Sequence, residues 1–127
     1  MPQKPVTLPL RVLYIEDNAL VREITSDLLA DDMREIVAVA TAEEALSVFK
    51  AGRFDIVVTD VSLPAMSGLD LVRHLKEISP SVPIVLASGY HLDPNFFSLG
   101  SNIRAITKPF GAPELQALIE ELCGPSA

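Results

Sequence analysis

Five short runs of Val, Ile, Leu and Ala recur at about residues 11–15, 35–40, 54–59, 83–88 and 103–107. They are nearly continuous in apolar residues rather than alternating with polar ones, the pattern of strands buried on both faces. Helical spacing fills the gaps. Leu20, Ile24 and Leu28 recur every four residues. Thr41-Ala42-Glu43-Glu44 forms a capping box, followed by Ala45, Leu46 and Phe49 on the face of Ala42. Ser67 can cap a third helix with Leu71, Val72, Leu75 and Ile78 inward. Pro113 suits the first turn of a last helix carrying Leu115, Leu118, Ile119 and Leu122, and Gly124 can end it. Strand–helix alternation of this kind implies an α/β fold with a parallel sheet covered on both faces. Right-handed crossovers leave few topologies, and the doubly wound, flavodoxin-like order 2-1-3-4-5 is expected. The rhythm weakens only between Tyr90 and Asn102, where Asp93-Pro94 and Gly100 leave room for a short or irregular fourth helix from about Pro94 to Leu99.

The 127 residues suit one domain. Residues 1–9 contain three prolines and no periodic pattern, so they read as a flexible lead-in; residues 10–124 form the domain and 125–127 a tail. Aromatic residues are scarce, at 6%, so the interior must be aliphatic. A net charge of −7 argues against non-specific binding to nucleic acid or an anionic membrane. A single cysteine, Cys123, allows neither a disulfide framework nor a cysteine-based zinc site. The chain shows no secretory signal and no membrane-spanning apolar stretch, so a cytoplasmic location is expected.

Chemistry gathers where the runs end. Glu16-Asp17 follows the first, Asp60 ends the third, Ser88 the fourth, and Lys108 follows the fifth. In open α/β sheets, ligands sit beyond the carboxyl ends of the strands where the order reverses. The expected order therefore collects all five residues on one rim. Carboxylates about 4 Å apart repel by roughly 4 kcal/mol per pair at an effective dielectric near 20. Either one takes up a proton or a divalent cation binds. An open lip with oxygen ligands favours Mg²⁺, which keeps several waters. An ammonium and a hydroxyl converging on a carboxylate–Mg²⁺ pair make a receptor for a phosphoryl group, and Asp60 can itself be the acceptor, giving an acyl phosphate.

Four segments, in order and each at a strand end, resemble the response regulator receiver domains of two-component signalling. They are Tyr14-Ile15-Glu16-Asp17-Asn18; Asp60 with Pro64 and Gly68 after it; Leu86-Ala87-Ser88-Gly89-Tyr90; and Thr107-Lys108-Pro109-Phe110. The resemblance runs from Arg11 to Cys123. It implies that Asp60 is the phosphorylated aspartate and that Asp17 is a direct Mg²⁺ ligand. Glu16 would act mostly through water, and the Ser62 backbone carbonyl would complete the metal shell. Ser88 would be the switch hydroxyl and Lys108 the lysine that pairs with the phosphoryl group, with a Lys108–Pro109 bond that is commonly cis in the family. The implied donor is a phosphohistidine on a sensor histidine kinase or histidine phosphotransfer protein. The chain would be a stand-alone regulator or the receiver of a longer hybrid kinase. Two features depart from the family: Ala105 stands where a switch aromatic is usual, and the stretch from Ser88 to Lys108 is short. Tyr90, two residues past Ser88, is a candidate substitute or a lid over the site.

Other functions fit less well. A phosphohydrolase using an aspartyl phosphate commonly places a second aspartate two residues after the nucleophile, where this chain has Ser62. Autodephosphorylation is expected, turnover of external phosphate esters is not, and the chain is read as a signalling module rather than an enzyme. A flavodoxin-like carrier would need a glycine-rich loop after the first strand and aromatics for flavin stacking. A degenerate scaffold would not retain all five site residues. His74 and His91 read as surface or loop residues, and Cys123 as inert.

Overall fold

The structure, a computed structural model, describes residues 9–31, 33–89, 100 and 102–123. Among the described residues nine elements follow in order: β1 (Leu10–Ile15), α1 (Ala19–Leu29), β2 (Arg34–Val39), α2 (Ala42–Ala51), β3 (Ile56–Asp60), α3 (Gly68–Ile78), β4 (Ile84–Ser88), β5 (Ile103–Thr107) and α4 (Ala112–Cys123). The strands form one parallel sheet in the order β2-β1-β3-β4-β5. This is the doubly wound topology that the alternation predicts. The expected short helix from Pro94 to Leu99 lies outside the described residues. Among the described residues no helix is long and apolar enough to cross a membrane.

Two apolar cores explain the continuous strand runs. Side chains alternate across a strand. Leu13, Ile15, Val57, Ile84 and Leu86 therefore enter one core with Ala45 and Phe49 of α2 and Leu71, Val72 and Leu75 of α3. Val12, Tyr14, Ile56, Val58, Val85 and Ala87 enter the other with Leu29 of α1 and Leu115 and Ile119 of α4. Every residue of β3 and β4 is buried. β2 and β5, at the sheet edges, are only partly covered, so burial on both faces holds for the inner strands alone.

Caps fix the helix starts as the residue types dictate. Asn18 Oδ1 accepts from Val21 N–H at 3.0 Å, Thr41 Oγ1 from Glu44 N–H at 3.1 Å, and Ser67 Oγ from Asp70 N–H at 3.2 Å. Glu44 reaches back to the N–H of Ala40, one residue earlier than the usual capping box. The spacing of Leu20, Ile24 and Leu28 does mark a helix, but that row faces solvent. The three side chains are 66%, 51% and 57% exposed, and α1 buries Leu29 instead. Ile78, expected inward on α3, is the last residue of the helix and is 43% exposed.

Candidate functional site

The parallel order brings the ends of β1, β3, β4 and β5 to one rim. Asp60 is the last residue of β3 and 8% exposed. Glu16 follows β1, its N–H still donating to Val39 of β2 at 3.1 Å, and is 3% exposed. Lys108 follows β5. Its ammonium donates to Asp60 Oδ2 at 2.6 Å and to Glu16 Oε1 at 3.0 Å, a bridge between residues 48 and 92 positions away. One oxygen from each of Glu16, Asp17 and Asp60 lies within 4.8 Å of the others. The five residues read from the strand ends thus include four, Glu16, Asp17, Asp60 and Lys108, that share one crevice. Ser88, the fifth, ends β4 with 3% exposure, and its carbonyl accepts the N–H of Lys108 at 2.7 Å.

The remaining contacts divide labour among the acids. Glu16 is committed on both oxygens, Oε1 to Lys108 and Oε2 to the N–H of Asn18 at 3.1 Å. Asp60 Oδ1 accepts the N–H of Ser62 at 3.3 Å, which fixes the Ser62 backbone beside the carboxylate. Asp17 is exposed, and its carboxylate has no hydrogen-bond partner among the described residues. Partial burial pulls the Lys108 ammonium down, but hydrogen bonds and charge from Asp60 and Glu16 outweigh it and hold the pKa above its ordinary value. Beneath the site, burial raises the pKa of the Tyr14 phenol, and the nearby carboxylates add to the rise.

The loop after Asp60 is tightly constrained. Gly68 opens α3 against the end of β3; a Cβ there would lie 2.3 Å from the Asp60 carbonyl and 2.8 Å from Val61 Cα. Ala65 takes a left-handed backbone, φ 65°, unusual for a residue with a Cβ. The Lys108–Pro109 bond is cis. Beside Lys108, a groove of about 330 Å³ runs between Val21 and Thr25 of α1 and Pro109 and Phe110. Ala105, on β5 opposite Leu86, is exposed. Tyr90 and His91 lie outside the described residues. Two residues that strand-end reasoning passed over, Asn18 and Arg22, contact Glu16; the signal for Asn18 was its place as a cap directly after the acidic pair.

The family model described as "Response regulator receiver domain" matches residues 12–120. The chain belongs to the response regulator receiver domain family. The two-component response regulator PhoP of Pseudomonas aeruginosa is 35% identical over 115 residues, which cover 89% of this chain and 51% of that protein. This receiver domain spans about half, or less, of the length of the first curated relatives it matches. Among solved structures, the chemotaxis protein CheY4 of Vibrio cholerae superposes with a TM-score of 0.80 at 25% identity, covering 90% of this chain and 98% of that one. The receiver domain of the sensor histidine kinase PA1611 from Pseudomonas aeruginosa also gives 0.80, at 23% identity, covering 92% and 99%; its structure has a magnesium ion coordinated in the active site cleft.

Proposed function

We propose that this receiver domain takes a phosphoryl group onto Asp60 from a phosphohistidine of a histidine kinase or histidine phosphotransfer protein, and that the acyl phosphate changes the surface it offers to a partner. One observation carries the reading: the Lys108 ammonium holds a nearly buried Asp60 carboxylate at 2.6 Å, with two further carboxylates on the same rim. Two acids, Glu16 and Asp60, share the Lys108 ammonium, and Asp17 stands beside them. The surplus negative charge, oxygen-only ligands and an unengaged Asp17 suit a hard divalent cation. Asp17, Asp60 and the Ser62 carbonyl would hold Mg²⁺, with Glu16 acting through water because both its oxygens are already bonded. Bound there, Mg²⁺ would neutralise the phosphoryl oxygens.

The protein's own part is positioning and charge. An Asp60 oxygen attacks phosphorus, the P–N bond to the imidazole breaks, and the departing nitrogen keeps the electron pair. Lys108 follows the charge from the Asp60 carboxylate to a phosphoryl oxygen. Ser88, whose backbone carbonyl accepts the Lys108 N–H, would donate its hydroxyl to the same group. The exposed apolar row Leu20, Ile24 and Leu28 begins three residues after Asp17 and supports a protein donor that docks along α1.

Phosphoramidate supplies the chemistry without a partner. The wild-type chain with Mg²⁺ is expected to gain one acid-labile phosphate, and Asp60→Asn none. Equal labelling of the variant would remove Asp60 from the mechanism. Steady turnover of small phosphate esters by the wild type would favour a phosphohydrolase instead.

A further inference from the structure

Arg22 closes the first turn of α1, half-buried, and its Nη1 donates to the carbonyl oxygen of Glu16 at 2.8 Å. That carbonyl belongs to the peptide joining Glu16 to Asp17. A guanidinium beside two acids would ordinarily pair with a carboxylate. Among the described residues Arg22 forms no ion pair and spends its charge on a neutral backbone oxygen. The rest of the loop is tied by the same short stretch: Asn18 N–H donates to Glu16 Oε2, Asn18 Oδ1 caps α1, and Arg22 N–H donates to the Asn18 carbonyl at 2.9 Å. Asp17 stands between these anchored residues with no side-chain bond of its own among the described residues.

We infer that Arg22 is a positioning residue for the cation site: its bond to the Glu16 carbonyl sets the orientation of the Glu16–Asp17 peptide and so aims Asp17 at Asp60. The inference rests on the Mg²⁺ reading given above. Orientation and charge have opposite signs here, which makes the test decisive. A cation acting only through its charge repels Mg²⁺, so its removal tightens binding. A cation that aims a ligand improves binding, and losing such outer support commonly costs ten- to a hundredfold in metal affinity.

Calorimetric titration of the metal-free chain with Mg²⁺, wild type against Arg22→Met and Arg22→Lys, decides between them, with thermal unfolding without metal as the fold control. Arg22→Met is expected to bind about tenfold more weakly despite losing a positive charge, and Arg22→Lys to fall between it and the wild type. Binding by Arg22→Met that equals or exceeds the wild type overturns the role of Arg22 and leaves the Mg²⁺ site standing. If Arg22→Met does not fold, Arg22→Lys decides, because it keeps the charge and loses the planar donor: weaker binding supports the inference and unchanged binding overturns it. A wild type that takes up no Mg²⁺ removes both readings together.

Discussion

At the scale of single residues, backbone strain and the candidate site meet in the β3–α3 loop. Ala65 occupies a left-handed backbone that costs an L-residue roughly 1–2 kcal/mol. Glycine removes that cost but adds an entropic one of roughly 0.5–1 kcal/mol. Ala65→Gly is therefore expected to stabilise the domain by roughly 0.5–1 kcal/mol, read as a higher urea midpoint at an unchanged slope. A lower midpoint would show that the conformation is not strained in solution. Gly68 obeys the opposite rule. On helix propensity alone Ala would gain about 1 kcal/mol. The 2.3 Å approach to the Asp60 carbonyl says otherwise: Gly68→Ala must push α3 off the end of β3, at about 1–3 kcal/mol. A rise in Tm for that variant would contradict the packing. Much of the site was legible in the sequence at this scale, because Glu16-Asp17, Asp60, Ser88 and Lys108 each stand where an aliphatic run stops. What escaped was the support from Arg22, a helix-borne arginine indistinguishable from a solvated one until the backbone folds it onto Glu16.

Elements show why pattern and burial can part. The sheet order was legible because strands buried on both faces need unbroken aliphatic runs, and β3 and β4 have them. The inward face of α1 was not. The four-residue row Leu20, Ile24 and Leu28 satisfies helical periodicity as well as a core row does, and periodicity carries no information about which side meets the sheet. α1 buries little beyond Leu29 and leaves a face available for a partner. Placing a charge on it should separate docking from chemistry. Ile24→Asp is expected to change stability by no more than about 0.5 kcal/mol, since the side chain is half exposed. Labelling of Asp60 by phosphoramidate should be unaffected, and transfer from a phosphohistidine protein should slow about tenfold or more. Equal slowing with both donors would place the effect in the site rather than on the surface.

Over the whole molecule, an aliphatic double core supports one polar rim, and the ionisable groups set against that core govern its response to alkali. Burial, helped by the Asp55 charge, pushes the Cys123 thiol from 9.0 up to about 11. Burial likewise raises Tyr14, and the pairing with Asp60 and Glu16 raises Lys108 against the pull of its own desolvation. In all three the folded pKa exceeds the unfolded one. Their contributions are therefore complete below the unfolded pKa and vanish as pH climbs through the folded value. Lys76 runs the other way: burial lowers it, so folding gains as its ammonium loses the proton. Its Nζ nonetheless remains held by the carbonyl of Val82 and by Asn102 Oδ1, both at 2.7 Å. The thiol has the lowest ordinary pKa of the four, so it should set the onset. Stability is expected to hold to about pH 9 and to fall by about 1–2 kcal/mol between pH 9 and 11, a figure discounted because the thiol is only partly buried. Cys123→Ala removes that group and should delay the fall to about pH 10, where Tyr14 and then Lys108 take over. Urea unfolding at half-unit pH steps measures both curves, and a wild type and variant that decline together from pH 9 would refute the assignment to the thiol.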